Sequence, residues 1–553
     1  MTSTNTELQK FSTEHGVVPD NASAGGKPKV HLPGGSVRIN DTARELFTII
    51  AATKKWFYKG GMIVILTEEA EHPLPVLKIL KAPQARSEFE AHADLFTQSQ
   101  DGPKPGVMSE DMAKALLQSS VARDTLPRLT GLINCPLLVL NGGKIHTTNT
   151  GYDETTGYFV TGKPLVEPAD IEDATTIIKG AVADFSFQTD GDVSRAIASF
   201  LTPALKFGGF IKGFAPIEVV EANESQTGKG YFVLLRSAVY GESPVYVAEK
   251  RGGVGSLDES FGSSLIKGRP FIVLDNYRGQ LGSPYLESFL TAQGNFSVRV
   301  PYSGEVYVDT SRYLVAITSN GMEATRDLAN RSCFIRLKKQ EGHRFHEFGS
   351  DDILETIRKC QPMFLGAVYA IVRHWFDQGM PKTDENRHSF SEWARSCDWI
   401  VQNIFKEAPL LEGHTEAQAR FQNPHLTFAR LVAIEIQNKN ALGQQYTATS
   451  IFELCEEADI PIPTLADSQK HNADYGKRVV GKIMNKALSG MDELLIEGFR
   501  ITRKAEPWTT NSGHTEQLKK YTFSLLTDDP APTEAKTPSK TKEPTGPPRF
   551  QKQ

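Results

Sequence analysis

Gly228 and Lys229 stand where one apolar run gives way to another, in PIEVVEANESQTGKGYFVLLRSAVY (216–240). Ile217, Val219 and Val220 read as the end of a strand, and Tyr231 to Val239 as an apolar helix. A lysine at that junction suits phosphate chemistry. Free N–H groups at a helix N-terminus cradle phosphate oxygens, and the ammonium bridges the terminal phosphates. Asn223, Glu224, Ser225, Gln226 and Thr227 form the loop ahead of Gly228, Lys229 and Gly230. Against the pattern G-x-x-x-x-G-K-[ST], Asn223 replaces the first glycine and Gly230 replaces the hydroxyl residue that would ligate Mg2+. Taken alone, an ordinary loop explains the match equally well.

Further along, GRPFIVLDN (268–276) is an apolar strand ending in Asp275 and Asn276. A carboxylate at the end of a buried parallel strand beside the phosphate loop is where Mg2+ is held, usually through water. The strand RYLVAITSN (312–320) ends in Ser319 and Asn320, placed to orient a water near the γ-phosphate. After it, RDLANRSCFIRL (326–337) supplies Arg326, Arg331 and Arg336, any of which could stabilise transition-state charge on a neighbour's nucleotide. Each piece has a plainer reading: a helix cap, a turn, a surface ion pair. Four in this order read as an NTPase. Asn276 is a poor base, so Glu287 or Glu224 is expected to polarise the water, and hydrolysis is expected to be slow.

Two further patterns could touch nucleic acid. In YGKRVVGKIMNKAL (475–488), Val479, Val480, Ile483, Met484 and Ala487 make a buried helical stripe. Arg478, Lys482 and Lys486 recur on the opposite face, joined by Lys477, at a spacing that meets successive phosphates. A solvated helix face is the plain alternative. NFSVRVP and EVYVDT flank Tyr302, Ser303 and Gly304 as a hairpin. Its Arg299, Tyr302 and Tyr307 offer a charge for phosphates and rings for bases, or else a contact with a neighbouring subunit.

These residues need a scaffold of several domains, since 553 residues exceed one hydrophobic core. Residues 1–28 and 527–553 are polar or rich in Pro, Thr and Lys and are expected to be disordered. Between them the reading is an α+β accessory domain over 29–165, an α/β core with a helical lid over 166–410, and a helix-plus-wing domain over 425–526. In the first, GGMIVIL (60–66) reads as a strand and EDMAKALLQSSV (110–121) as one helix. A net charge of -5 means that any DNA surface is local. Five scattered cysteines argue against disulfides and zinc. With no apolar run of bilayer length and no signal-peptide core, the expected location is cytoplasmic, with no membrane partner.

Taken together, these motifs resemble the AAA+ P-loop ATPases of phages, plasmids and other mobile elements, related to superfamily 3 and MCM-like helicases. The resemblance covers about residues 30–525 and is most specific over 216–337. It implies ATP and Mg2+ as cofactors, a hairpin before the sensor strand, a C-terminal winged helix and a homo-oligomeric ring, hexameric by analogy. By position, Lys229 matches the Walker A lysine, Asp275 the Walker B aspartate, Asn320 sensor 1 and Arg331 the arginine finger. SFSEWARSCDWIV (389–401) is similar to the lid helix, with Arg395 as sensor 2. The implied work is unwinding or translocation of single-stranded or forked DNA, alongside a primase or initiator. Two rivals stand beside it: a nucleotide-switched DNA-binding initiator or loader, and a defence or regulatory NTPase acting on a protein.

Overall fold

Strands buried on both faces read as near-continuous apolar runs, and such runs, with one short edge strand, assemble one five-stranded sheet. Its strands are β1 (Ile217–Ala222), β2 (Val245–Val247), β3 (Phe271–Tyr277), β4 (Leu314–Ser319) and β5 (Ser332–Leu337). The computed structural model describes residues 26–526, apart from 69–74, 169, 223–226, 248–255, 278–279, 293, 301–303, 321, 340–346, 349–350, 422, 459, 461, 464–472, 489–490, 497 and 510–514. The two ends expected to be disordered therefore lie outside the described residues, but for 26–28.

The strand order is β2-β3-β4-β1-β5, with every neighbouring pair parallel. Asp275 was expected on the strand next to the phosphate loop. Instead β4 lies between β1 and β3, so both Asp275 and the loop flank the end of the strand leading to Asn320.

Period-two alternation divides the sheet's side chains between two cores. Val220, Val273, Ala316 and Ile335 face one cluster, shared with α1 (Asp190–Phe207), α2 (Lys229–Val239) and the helix Gln361–Asp377. Val219, Ile272, Ile317 and Phe334 face the other, shared with the helices Leu257–Ile266 and Pro284–Thr291 and with the hairpin. The result is a mixed α/β protein, a parallel sheet between two layers.

Several buried charges inside these layers are paired. Asp192 is wholly buried and accepts hydrogen bonds from Arg195 at 2.6 Å and from Arg336 at 3.0 Å. Glu218 on β1 pairs with Arg236 on α2 at 2.9 Å. Glu221, near the end of β1, takes Arg420 of the helix His414–Phe421 through both carboxylate oxygens.

Ahead of the sheet, Met62–Thr67 is the strand read at 60–66, central in an antiparallel trio with Trp56–Lys59 and Val76–Ile79. The stretch read as one helix over 110–121 is two. Ser119 caps the second, its hydroxyl accepting from Ala122 N–H at 3.1 Å, and so breaks the run after Leu117. The hairpin strands Asn295–Val300 and Gly304–Asp309 pair antiparallel as expected. Tyr307 N–H donates to Gly60 O at 2.9 Å. A Cβ on Gly60, whose φ is 57°, would stand 2.2 Å from Tyr307 O, so only glycine permits that approach.

The chain divides into two compact units, Met1–Gln422 and Asn423–Gln553. In the second, helices Pro424–Asn438 and Ala448–Glu457 flank the short strand Gln445–Tyr446, then comes a third helix, Ala473–Ala487. Strands Phe499–Thr509 and Thr515–Leu525 pair antiparallel, and Glu493–Ile496 adds an edge strand. Among the described residues no helix is long and apolar enough to cross a membrane, and no group of three or more His, Cys, Asp or Glu is placed to hold a metal ion.

Candidate functional site

At the C-terminal edge of the sheet, where open α/β sheets bind ligands, β1 leads to α2. Gly228 caps that helix with φ at 85°, a left-handed conformation that glycine adopts without strain. The first N–H groups of α2 are left without helical acceptors. Asn223, Glu224, Ser225 and Gln226 lie outside the described residues. Lys229 is buried, and its ammonium donates to Asn320 Oδ1 and, at 3.4 Å, to Thr227 Oγ1.

Asp275 and Asn276 leave the regular strand, and the β3–β4 register shifts between Leu274 and Tyr277. Asn276 has φ at 51°, tolerated by asparagine. Its N–H donates to Thr318 Oγ1 at 2.7 Å, and that hydroxyl donates to Asp275 Oδ1 at 2.5 Å. A Cβ built on Gly230 would lie 3.9 Å from the same Oδ1. The residue that lacks the expected hydroxyl thus sits against the carboxylate it would share a metal with. On β2, burial and then the negative charge of Asp275 raise the Tyr246 hydroxyl. Ser319 Oγ donates to Tyr277 O at 2.9 Å and accepts Met322 N–H at 2.8 Å, turning the chain so that Asn320 meets Lys229.

Thr227, Gly228, Lys229, Gly230, Asp275, Asn276, Thr318 and Asn320 are therefore one cluster. Thr318 escaped the sequence reading. Its only signal was its place in Thr318-Ser319-Asn320, a polar ending on an apolar strand.

Other candidates stand elsewhere. Glu287 accepts from Thr325 Oγ1, which caps the short helix Arg326–Asn330, so its carboxylate is engaged in holding that helix. Arg331 follows the helix, and its carbonyl accepts Ile217 N–H at 3.0 Å, at the N-terminal edge of the sheet. The length of β1, roughly 17 Å at ~3.3 Å per residue, separates that edge from the phosphate loop. Its side chain is 21% exposed and lies 4.0 Å from Asp327, while Arg326 is exposed. Arg336 is buried against Asp192, which removes it as a group that could reach a neighbour.

Arg395 also stands away from the cluster. It lies near the start of the helix Ser391–Asn403, exposed, its Nε donating to Thr383 O at 2.6 Å. That end of the helix adjoins the segment ahead of β1. The Phe390 and Phe214 rings are 5.8 Å apart, and Lys212 N–H donates to Glu392 at 2.8 Å. The sensor 2 reading of Arg395 is not supported by this placement.

In the second unit the helix Ala473–Ala487 buries Val479, Val480, Ile483, Met484 and Ala487. Arg478, Lys482 and Lys486 are exposed, and Lys477 is half-buried, 3.9 Å from Asp474. On the hairpin, Arg299 is exposed opposite Glu305, and Tyr302 lies outside the described residues. Tyr307 is 53% exposed, but Val298, Val306 and Val308 on the same strands are buried.

No family model matches the chain, and no curated protein matches it. Solved structures similar to it include one described as the SCCmec type IV Cch active helicase. That chain is 14% identical, with 83% of this chain and 90% of that chain covered and a TM-score of 0.30. The apo A form of the NrS-1 C-terminal region is 12% identical over 87% of this chain and 99% of that one, with a TM-score of 0.33. A JCV helicase is 10% identical over 45% of this chain and 64% of that one, with a TM-score of 0.23. Two of the three are named as helicases. Likeness at these scores carries no weight for function, which rests on the geometry of the chain itself.

Proposed function

We propose that this chain is an ATP-hydrolysing P-loop protein of the AAA+ type that works on DNA as a ring of identical subunits. One observation carries the reading: Lys229 and Gly230, at the start of α2, meet Asn320 and Asp275 from the ends of two other strands. Lys229 and the N–H groups of the first turn of α2 would hold the phosphates. Asp275 fits a metal held through water, while the ligand usually given by a hydroxyl at position 230 is missing. Bound Mg–ATP would supply the phosphoryl group and neutralise its developing charge. The chain's own part is to orient the phosphates through Lys229 and the attacking water through Asn320.

Arg331 is a full strand length from its own chain's phosphate loop, so it can act only on a neighbour. That supports a ring, and a hexamer by family analogy. In the second unit, the order helix, strand, helix, helix and long hairpin supports a winged helix, with Arg478, Lys482 and Lys486 on its outward face. A DNA helicase or translocase of a mobile element is the activity we favour, with a primase or initiator as partner and the cytoplasm as its location.

The experiment is ATPase turnover with and without single-stranded DNA, with strand displacement on a forked duplex, on protein of known oligomeric mass. Absence of both nucleotide binding and turnover would sink the reading. A second reading, a nucleotide-switched initiator or loader, is favoured by Gly230 and Asn276. ATP-dependent DNA binding without strand displacement would select it.

A further inference from the structure

We propose that Thr318 is the positioning residue of the Asp275 carboxylate, acting on it from the end of the strand that leads to Asn320. The proposal rests on the nucleotide-site reading above and goes beyond it by naming what holds the metal-facing acid in place.

Asp275 is exposed at a strand end and leaves the regular register there, so nothing in the strand itself fixes its side chain. Thr318 is 1% exposed and β-branched, so its hydroxyl direction is set by packing. That hydroxyl has a single proton. It accepts Asn276 N–H at 2.7 Å, which leaves the proton to be given to Asp275 Oδ1 at 2.5 Å. Both bonds act on the same bulge, one on the backbone after Asp275 and one on its side chain. Oδ1 is thereby engaged, and Oδ2 is the oxygen that would accept from a metal-bound water. The same bonds keep Oδ1 3.9 Å from where a side chain on Gly230 would begin.

A group that orients a metal-facing carboxylate without touching the metal is worth about 10–100-fold in metal affinity or activity. Thr318 is also one peptide from Ser319 and two from Asn320, at the end of the strand that lies between β1 and β3. One strand end thus carries the residue facing the Lys229 ammonium and the residue holding the carboxylate.

The test compares Thr318→Val, which keeps the shape and loses the donor, with Thr318→Ser, which keeps the donor. Three quantities are read: Mn2+ affinity in the presence of ADP, ADP affinity in EDTA, and ATP turnover at saturating Mg2+. Expected for Thr318→Val is Mn2+ affinity and turnover lower by ~10-fold or more, with ADP affinity in EDTA within about twofold of the parent. Thr318→Ser should recover both to within about threefold. Should the valine variant not fold, Thr318→Ala is judged by the same Mn2+ titration. Parent-like Mn2+ affinity and turnover in the donorless variant would overturn the proposal and leave the nucleotide site standing. A parent protein that binds neither ADP nor ATP would remove the site and this proposal together.

Discussion

The ammonium of Lys229 and the amide oxygen of Asn320 share a hydrogen bond that joins the start of α2 to the end of β4. Two residues 91 positions apart are thereby held at one point, with Thr227 as the ammonium's second partner. Anything that draws the ammonium toward a phosphate must also change what Asn320 faces.

Separating their roles is the first prediction. Lys229→Ala should abolish ATP binding and leave thermal stability near the parent's, since the ammonium makes its bonds at the sheet edge. Asn320→Ala should bind nucleotide within a few-fold of the parent and lose turnover by roughly a hundredfold, as expected for a preorganised group acting on the reacting atoms. Calorimetric titration and phosphate release measure the two effects. Unchanged nucleotide affinity in Lys229→Ala would remove the central claim.

Arg331 and Arg336 should fail in different ways. Removing Arg336 leaves Asp192, fully buried, with Arg195 as its remaining guanidinium. Breaking such a pair costs about 3–5 kcal/mol, so Arg336→Ala should melt far lower or not accumulate. Arg331→Ala should melt like the parent, bind ATP and hydrolyse it poorly, and mixing it with Lys229→Ala should restore part of the turnover. Normal hydrolysis by Arg331→Ala would hand the role to Arg326 or to no arginine.

For the basic helix the measurement is salt dependence. Replacing Arg478, Lys482 and Lys486 together by Ala should weaken duplex binding and reduce the slope of log affinity against log salt by up to about 2.7, at ~0.9 per phosphate contact. The apolar stripe is untouched, so the unit should stay folded. An unchanged slope would make this face a solvated surface.

Local patterns and long-range pairing were not equally legible. The apolar runs ending in Asp275 and Asn320 announced buried strands because burial on both faces leaves no room for polar alternation. The stripe from Val479 to Ala487 could be read because helical periodicity is a local property. Strand order was not, since a crossover that inserts β4 between β1 and β3 leaves no mark on either strand. Arg331 and Arg336 look alike in sequence. Only the fold brings Asp192, 144 residues earlier, against Arg336 and settles which of the two is buried. Thr318 was missed for the same reason, its partners being across the ladder rather than along the chain.

A buried acid should give the first unit a pH signature. Glu242 accepts Asn134 N–H at 2.7 Å and lies 3.5 Å from Arg269. Burial outweighs both partners and pushes its carboxyl from 4.5 up to about 7. Between those values the folded chain keeps a proton that the unfolded chain has released, so stability falls as pH rises through the window. Glu242→Gln keeps an acceptor for Asn134 and cannot ionise. Its melting temperature should therefore change less between pH 4.5 and 7 than the parent's, by roughly a few degrees. Parallel melting curves for the two proteins across that window would show that Glu242 is not the group responsible.

Gly230→Ser should improve the proposed metal site. A Cβ there meets Asp275 Oδ1 at 3.9 Å, an ordinary contact, so a serine fits without displacing its neighbour. Position 230 is the second residue of α2, and serine costs less helix propensity there than glycine, by a few tenths of a kcal/mol. The new hydroxyl would enter the space that Asp275 already faces and add the oxygen ligand that hard cations favour. The Mg2+ concentration for half-maximal turnover should fall several-fold, turnover should rise, and ADP affinity in EDTA should stay as in the parent. Combining the change with Thr318→Val should return part of the metal affinity lost in that variant, because the serine ligates the metal without help from Asp275. If the Mg2+ dependence of Gly230→Ser matches the parent's, the space between position 230 and Asp275 does not hold the metal. The phosphate loop would then bind nucleotide with its cation placed elsewhere.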